Sequence, residues 1–458
     1  MVGLKDERLS IVCSVNDETY RVDGKAVHYI LRISFMKKAI FTLLTALVTI
    51  AGWAQVNPTS VFVGSWSGKL KVGAMSLTVV LHLEQKEGYV VASLDSPDQG
   101  AKDIPAKMEY LSDDSVAVKV EMIGATYQAK LTDGKLDGTF SQNGMKFPLE
   151  MTRGVPEVKH PQEPKPPYPY ETEEVTFINE ADGATLAGTL TWPMGYDKKG
   201  KKKPMVVLFV TGSGQENRDE EIFGHKPFLV IADYLARQGI ATLRYDDRAT
   251  GKSTGGDVKN ATSEDFARDA AAGLVFLRNK KAFSKVGILG HSEGGLIAFI
   301  LGAKKKTDFI VSLAGPGVKG DTLSVVQSNR IMELSGIDPN MAVKMTVKKL
   351  RQDEQFKKLP WYQYFLDYDP SENIRKTRCP VFALNGDRDC QVIASQNLTA
   401  IRQLLPPSKK NLLKEYPGLN HLFQHCTTGL ATEYGQIEET ISEEVLKDIA
   451  QWLQQLQK

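Results

Sequence analysis

Six residues constrain this chain more than any others: Gly290-His291-Ser292-Glu293-Gly294-Gly295. They follow Val286–Leu289, an apolar run of buried-strand length, and lead into Gly294–Gly302, a run of helical length. A serine flanked by glycines on a sharp strand-to-helix turn lifts its hydroxyl clear of a sheet, and its neighbours must lack side chains for the elements to approach. In other settings G-x-S-x-G is common and uninformative; here the strand and helix around it make Ser292 a candidate nucleophile.

The surrounding pattern fits a sheet. From Glu173 a hairpin pair (Val175–Asn179, Thr185–Trp192) precedes alternating apolar strands and helices. The strands are Met205–Val210, Ala241–Tyr245, Val286–Leu289, Phe309–Leu313, Val381–Leu384 and Leu412–Tyr416. The helices include Phe228–Gln238, Ser263–Asn279 with Ser263 as N-cap, and Ile441–Leu456. Such alternation predicts a parallel sheet with helices on both faces. Residues 316–378 hold no strand and are expected to form a small helical lid over the strand ends, where open α/β sheets bind ligands.

A serine hydroxyl needs a base and an orienting acid. Chain order in such sheets places the acid and then the histidine after the nucleophile. Two loops after strand ends supply them: Leu384-Asn385-Gly386-Asp387-Arg388-Asp389 and Tyr416-Pro417-Gly418-Leu419-Asn420-His421. His421 is the base candidate and His425 its rival further along. Asp387 and Asp389 both suit the acid, and the bare pattern does not separate them. For the oxyanion, one N–H is expected from Glu293 and a second from Thr211-Gly212-Ser213-Gly214, at Ser213 or Gly214, with Ser213 favoured. Neither this loop nor Gly251-Lys252-Ser253 has the spacing of a phosphate-binding loop. No zinc-type spacing of His and Cys is present, so no metal or cofactor is expected.

These motifs, together with Arg244-Tyr245-Asp246-Asp247-Arg248-Ala249-Thr250-Gly251-Lys252-Ser253, resemble the α/β-hydrolase superfamily. The resemblance is to bacterial exported serine hydrolases related to esterase D and the serine aminopeptidase-like hydrolases. It covers about residues 173–458. It implies an α/β-hydrolase sheet with a lid and a Ser292–His421–acid triad. It assigns the acid to the last residue of G-x-x-D, which is Asp389. Ala249 stands where that family usually has glycine. The implied reaction is hydrolysis of a small-molecule carboxylic ester through an acyl-enzyme. The alternatives are an aminopeptidase or acyl-peptide hydrolase, and, in another class, a glycan- or protein-binding module with an accessory hydrolase domain. Within the lid, Trp361–Tyr368 carries five aromatics in eight residues, suited to a pocket wall or to packing.

The first half of the chain reads differently. Short alternating strands (Leu77–Leu83, Tyr89–Leu94, Ser115–Val120, Thr126–Leu131) are separated by Glu-Gly, Asp-Gly and Asn-Gly turns, which predicts a small antiparallel β domain, a barrel or sandwich of about eight strands, over residues 55–153. Its Trp66 is expected in a core strand. Six prolines in residues 154–171 predict an extended, semi-rigid linker to a hydrolase domain at 172–458. Upstream, Met36-Lys37-Lys38, an apolar run to Gly52 and small residues up to Ala54 have the anatomy of a secretory signal peptide. The expectation is cleavage near Ala54, a natural start at Met36, residues 1–35 as a non-native extension, and a periplasmic or secreted protein.

Composition limits partners. Lys and Arg total 57 against 55 Asp and Glu, and removing residues 1–54 leaves fifty of each. A neutral chain lacks the basic excess that phosphate neutralisation requires, so no nucleic-acid partner is expected. No run of eighteen apolar residues appears, so no spanning helix is expected. Four cysteines exclude a disulfide-built scaffold. Cys390 and Cys426 are a candidate bridge, with free thiols the simpler reading. Oligomeric state is left open.

Overall fold

The computed structural model describes residues 12–15, 18–21, 61–72, 75–99, 101–156, 158–336 and 343–457. The leader at 36–54 and most of residues 1–35 lie outside the described residues. The chain divides into two compact units, Met1–Asn57 and Pro58–Lys458. In the first, Val12–Val15 pairs antiparallel with Glu18–Arg21.

The second unit opens with an eight-stranded closed antiparallel barrel that runs from Gly64–Val72 to Met145–Arg153. Alternation places one side of each strand inside, and Trp66, Leu81, Val118, Tyr127, Leu136 and Met151 are buried there in one core. Two inward polar groups find carbonyls: Trp66 Nε1 donates to Phe62 O at 2.8 Å and Tyr127 OH to Leu149 O at 3.1 Å. The barrel closes where Thr152 and Arg153 pair with Ser67 and Trp66.

The proline-rich segment is tied down along its length. Gln162 Oε1 accepts from the N–H groups of Thr440 and Ile441 at 2.6 and 3.1 Å, and Tyr170 OH donates to Asp233 at 2.8 Å. The expectation of a spacer did not include these anchors. The barrel also touches the unit's second half directly. Its 3₁₀ turn Pro97–Gln99 meets the 3₁₀ turn Ala431–Gln436, where Gln436 Nε2 donates to the buried Asp98 carboxylate at 3.0 Å.

An eight-stranded sheet follows. Its strands are β1 (Thr172–Asn179), β2 (Ala184–Thr191), β3 (Val206–Val210), β4 (Ala241–Tyr245), β5 (Val286–His291), β6 (Ile310–Leu313), β7 (Val381–Gly386) and β8 (Leu412–Tyr416). Their order is β1-β2-β4-β3-β5-β6-β7-β8. The hairpin β1–β2 joins β4 antiparallel, and every other pairing is parallel.

Both faces are covered, so β3 and β5 are buried throughout, β3 wholly apolar and β5 apolar up to Gly290, rather than alternating with polar residues. Val206, Leu208 and Val210 pack on one face with α2 (Ser263–Asn279), α3 (Glu293–Ala303) and α9 (Ala394–Leu404). Val207 and Phe209 pack on the other with α1 (Pro227–Arg237) and α10 (Glu443–Gln457). Between β6 and β7 lie five short helices: α4 (Gly320–Leu334), α5 (Val347–Gln352), α6 (Glu354–Lys357), α7 (Pro360–Asp367) and α8 (Ser371–Lys376). No helix among the described residues is long and apolar enough to cross a membrane.

Candidate active site

The elbow after β5 is built from glycines because nothing larger fits. A Cβ on Gly290 would stand 2.1 Å from Gly294 O, and one on Gly294 would stand 2.1 Å from Val210 O. Ser292 itself has φ 52° and ψ −117°, a conformation that costs a non-glycine residue on the order of 1–3 kcal/mol. Its N–H is held by Leu313 O at 2.8 Å. Glu293 opens α3, so its N–H has no acceptor within the helix and is available at the helix's positive end.

The two loops expected to supply acid and base do meet. His421 Nδ1 lies 2.7 Å from Asp389 Oδ2, and both side chains are buried. The other Asp389 oxygen accepts from the N–H groups of Gln391 and Val392 at 2.8 and 2.9 Å, which fixes the carboxylate's orientation. Asp387 instead accepts from Gly418 N–H at 2.6 Å at the surface of the turn after β8. His425 is exposed and paired with Glu439 at 2.8 Å. Geometry therefore separates residues that the sequence pattern left together.

Ser292 and His421 open onto one cavity of about 310 Å³. Ser213 lines it and Gly214 does not; Trp361, Tyr362 and Phe365 of α7 and Leu323 of α4 form its lid side. The remaining lid aromatics, Tyr364 and Tyr368, stack on each other at 5.6 Å. Thus the aromatic cluster divides between wall and packing. A wider open hollow of about 830 Å³ lies between Pro193–Tyr196 and the end of α10 and carries none of these groups.

Three carboxylates unnoticed in the sequence shape the site. Asp247 accepts from Thr211 Oγ1 at 3.0 Å and from Glu216 N–H at 2.9 Å, pinning the loop after β3; burial pushes its carboxyl well above the usual range. Glu220 accepts from Gly212 N–H at 2.9 Å and lies 3.0 Å from His291 Nδ1. The Glu293 side chain is buried and receives Trp361 Nε1 at 2.9 Å, Ser263 Oγ at 2.5 Å and the Ser213 hydroxyl. Burial raises the Glu293 carboxyl, with these donors opposing.

One local expectation is corrected. Ser263 does not cap α2, because its hydroxyl serves Glu293. Thr262 is the N-cap, and its N–H donates to Asp265 at 2.7 Å. Ala249, in the glycine position of the turn after β4, has φ 54°, the left-handed region that favours glycine. Cys379, Cys390 and Cys426 are free thiols; Cys390 Sγ donates to Gly429 O at 3.1 Å. Among the described residues no group of three or more His, Cys, Asp and Glu is placed to hold a metal ion.

Comparison with known proteins finds the following similarities. The serine aminopeptidase S33 family matches residues 226–371. Esterase EstD of Thermotoga maritima is 27% identical over 331 residues, spanning 70% of this chain and 74% of EstD. An esterase of Pyrococcus furiosus, Pf2001, is 17% identical with a TM-score of 0.43, covering 66% of this chain and 99% of that one. Est1E of Butyrivibrio proteoclasticus, solved with ferulic acid, is 18% identical with a TM-score of 0.42, covering 62% and 100%. The strand order and the serine elbow after β5 give the sheet-bearing part of the chain the α/β-hydrolase fold, and this part is similar to the serine aminopeptidase S33 family over residues 226–371 and to EstD.

Proposed function

We propose that the protein is a carboxylesterase acting on esters of short or medium acyl groups through Ser292, His421 and Asp389. The observation that carries this reading is the buried 2.7 Å contact of Asp389 with His421 Nδ1, beside a serine held at positive φ on the same cavity. In this mechanism Ser292 Oγ attacks the acyl carbonyl while His421 Nε2 takes its proton. Asp389 keeps the imidazole proton on Nδ1 and stabilises the imidazolium that forms. The oxyanion points at the N–H groups of Glu293 and Ser213. Collapse expels the alcohol, protonated by His421, and leaves the acyl group on Ser292. Water, deprotonated by His421, then releases the acid.

The cavity supports the acyl range. About 310 Å³, walled by Trp361, Phe365 and Leu323, suits a small apolar or aromatic acyl group. A second reading, aminopeptidase, is favoured by the family description. Ester substrates of graded acyl length, assayed beside aminoacyl anilides, separate the two. Ester turnover exceeding anilide turnover is expected, and the reverse would overturn the esterase reading.

The leader-like sequence of residues 36–54 supports a reading of export, with cleavage near Ala54 and a periplasmic or secreted enzyme. Side chains such as Trp66, Leu81 and Tyr127 are buried inside the barrel, so a binding role for that domain would use its outer surface.

A further inference from the structure

His291 precedes the nucleophile and is buried, and the mechanism above does not use it. Its ring meets an acceptor on each side. Nδ1 is 3.0 Å from the Glu220 carboxylate and Nε2 is 3.0 Å from the carbonyl of His421. A neutral imidazole donates from only one nitrogen, so it satisfies one of these contacts and sets a lone pair against the other acceptor. Only the imidazolium donates to both. The same Glu220 oxygen also accepts from Gly212 N–H at 2.9 Å. One polar chain therefore runs from the loop after β3, beneath Ser292, to the backbone of His421.

Glu220 itself has φ 51°, a conformation that persists only where its surroundings fix it. The charged and titratable groups around the ring come from three loops: Glu220 after β3, Asp389 after β7, and His421 after β8, whose ring centroid is 4.7 Å away. Burial opposes the charge on His291, but the Glu220 carboxylate and the His421 carbonyl outweigh it, and the net direction is upward.

We propose that His291 is held as an imidazolium by Glu220, and that this buried pair is a positioning device that sets the oxyanion loop and the His421 backbone relative to Ser292. The positioning role rests on the serine-hydrolase reading above; the charge state does not.

Two measurements on the full chain test it. The first is ¹⁵N NMR of the imidazole nitrogens, with His291 assigned through His291→Asn. Two protonated nitrogens at pH 7 are expected, and an unprotonated ring nitrogen at pH 7 would overturn the proposal. The second is the pH dependence of labelling by a fluorophosphonate, which reports Ser292 reactivity whatever the natural substrate is. Wild type is expected to lose labelling on an alkaline limb as His291 deprotonates. Glu220→Gln is expected to move that limb at least one pH unit lower and to slow labelling by about 10–100-fold at pH 8. His291→Asn is expected to lack the limb. A limb at the same pH in all three proteins would reject the positioning role. Failure of ester turnover with both signatures intact would count against the esterase reading alone.

Discussion

Trp361, on lid helix α7, donates its indole N–H to both carboxylate oxygens of Glu293, at 2.9 and 3.0 Å. Glu293 follows Ser292 directly, so the lid wall of the cavity is fastened to the elbow that presents Ser292. Trp361→Phe keeps a ring in place and removes the donor. Leaving part of a buried carboxylate unsatisfied costs about 1–3 kcal/mol. The expected outcome is a loss of that size in urea unfolding, with KM rising more for longer acyl esters than for acetate. Unchanged stability and selectivity would remove the lid fastening from the account.

Glu293 also predicts a pH dependence. Its folded carboxyl sits above the usual range because burial outweighs its donors. The sign follows from proton binding: between the unfolded and folded values, the native state holds the proton and the unfolded state has released it. Stability from this group is therefore present in acid and is lost as pH rises from the ordinary carboxylate range through the folded value. Glu293→Gln does not titrate. The stability of wild type relative to this variant is expected to fall with rising pH in that window, as measured by urea unfolding at closely spaced pH values.

His225 gives the opposite slope. It is fully buried between Thr440 Oγ1 and Tyr434 O, both at 2.9 Å, and burial holds its imidazole down at about 4. Unfolding frees it to bind a proton below about 6.5. Its contribution is complete above that value and is lost as pH falls to about 4, amounting to about 3 kcal/mol on the scale of 1.36 kcal/mol per unit. His225→Gln is expected to flatten this acid limb in urea unfolding between pH 7 and pH 4.5. An unchanged limb would mean that other groups carry it.

Asp389 and Asp387 lie two residues apart and are expected to behave very differently. Asp389→Asn leaves the geometry but favours the wrong imidazole tautomer, so kcat is expected to fall on the order of 10³–10⁴-fold. Asp387 holds Gly418 at the surface, and Asp387→Asn is expected to stay within a few-fold of wild type. The reverse ranking in steady-state ester hydrolysis would overturn the assignment of the acid.

What could be read in the sequence was what chain neighbours determine. The elbow glycines, the runs that became β3 to β8 and the paired loops at Asp389 and His421 are local signals, and their boundaries shifted by only a few residues. The choice between barrel and sandwich was open in the sequence because closure depends on Gly64–Val72 and Met145–Arg153 pairing across the whole domain. Glu220 was hidden for the same reason, since its partner His291 is 71 residues away and no spacing links them. Ser263 looked like a cap by type and position, yet its hydroxyl was claimed by Glu293 thirty residues on. Composition read residues 154–171 as a spacer, but composition carries no information about Gln162 meeting Thr440 and Ile441.

The central claim is an acyl-enzyme on Ser292. Its most direct test is mass spectrometry of protein quenched during turnover of a p-nitrophenyl ester, followed by peptide mapping. The account predicts the acyl mass on the peptide bearing Ser292, absent in Ser292→Ala together with turnover. Turnover without an adduct at Ser292, or with full activity retained in Ser292→Ala, would contradict it.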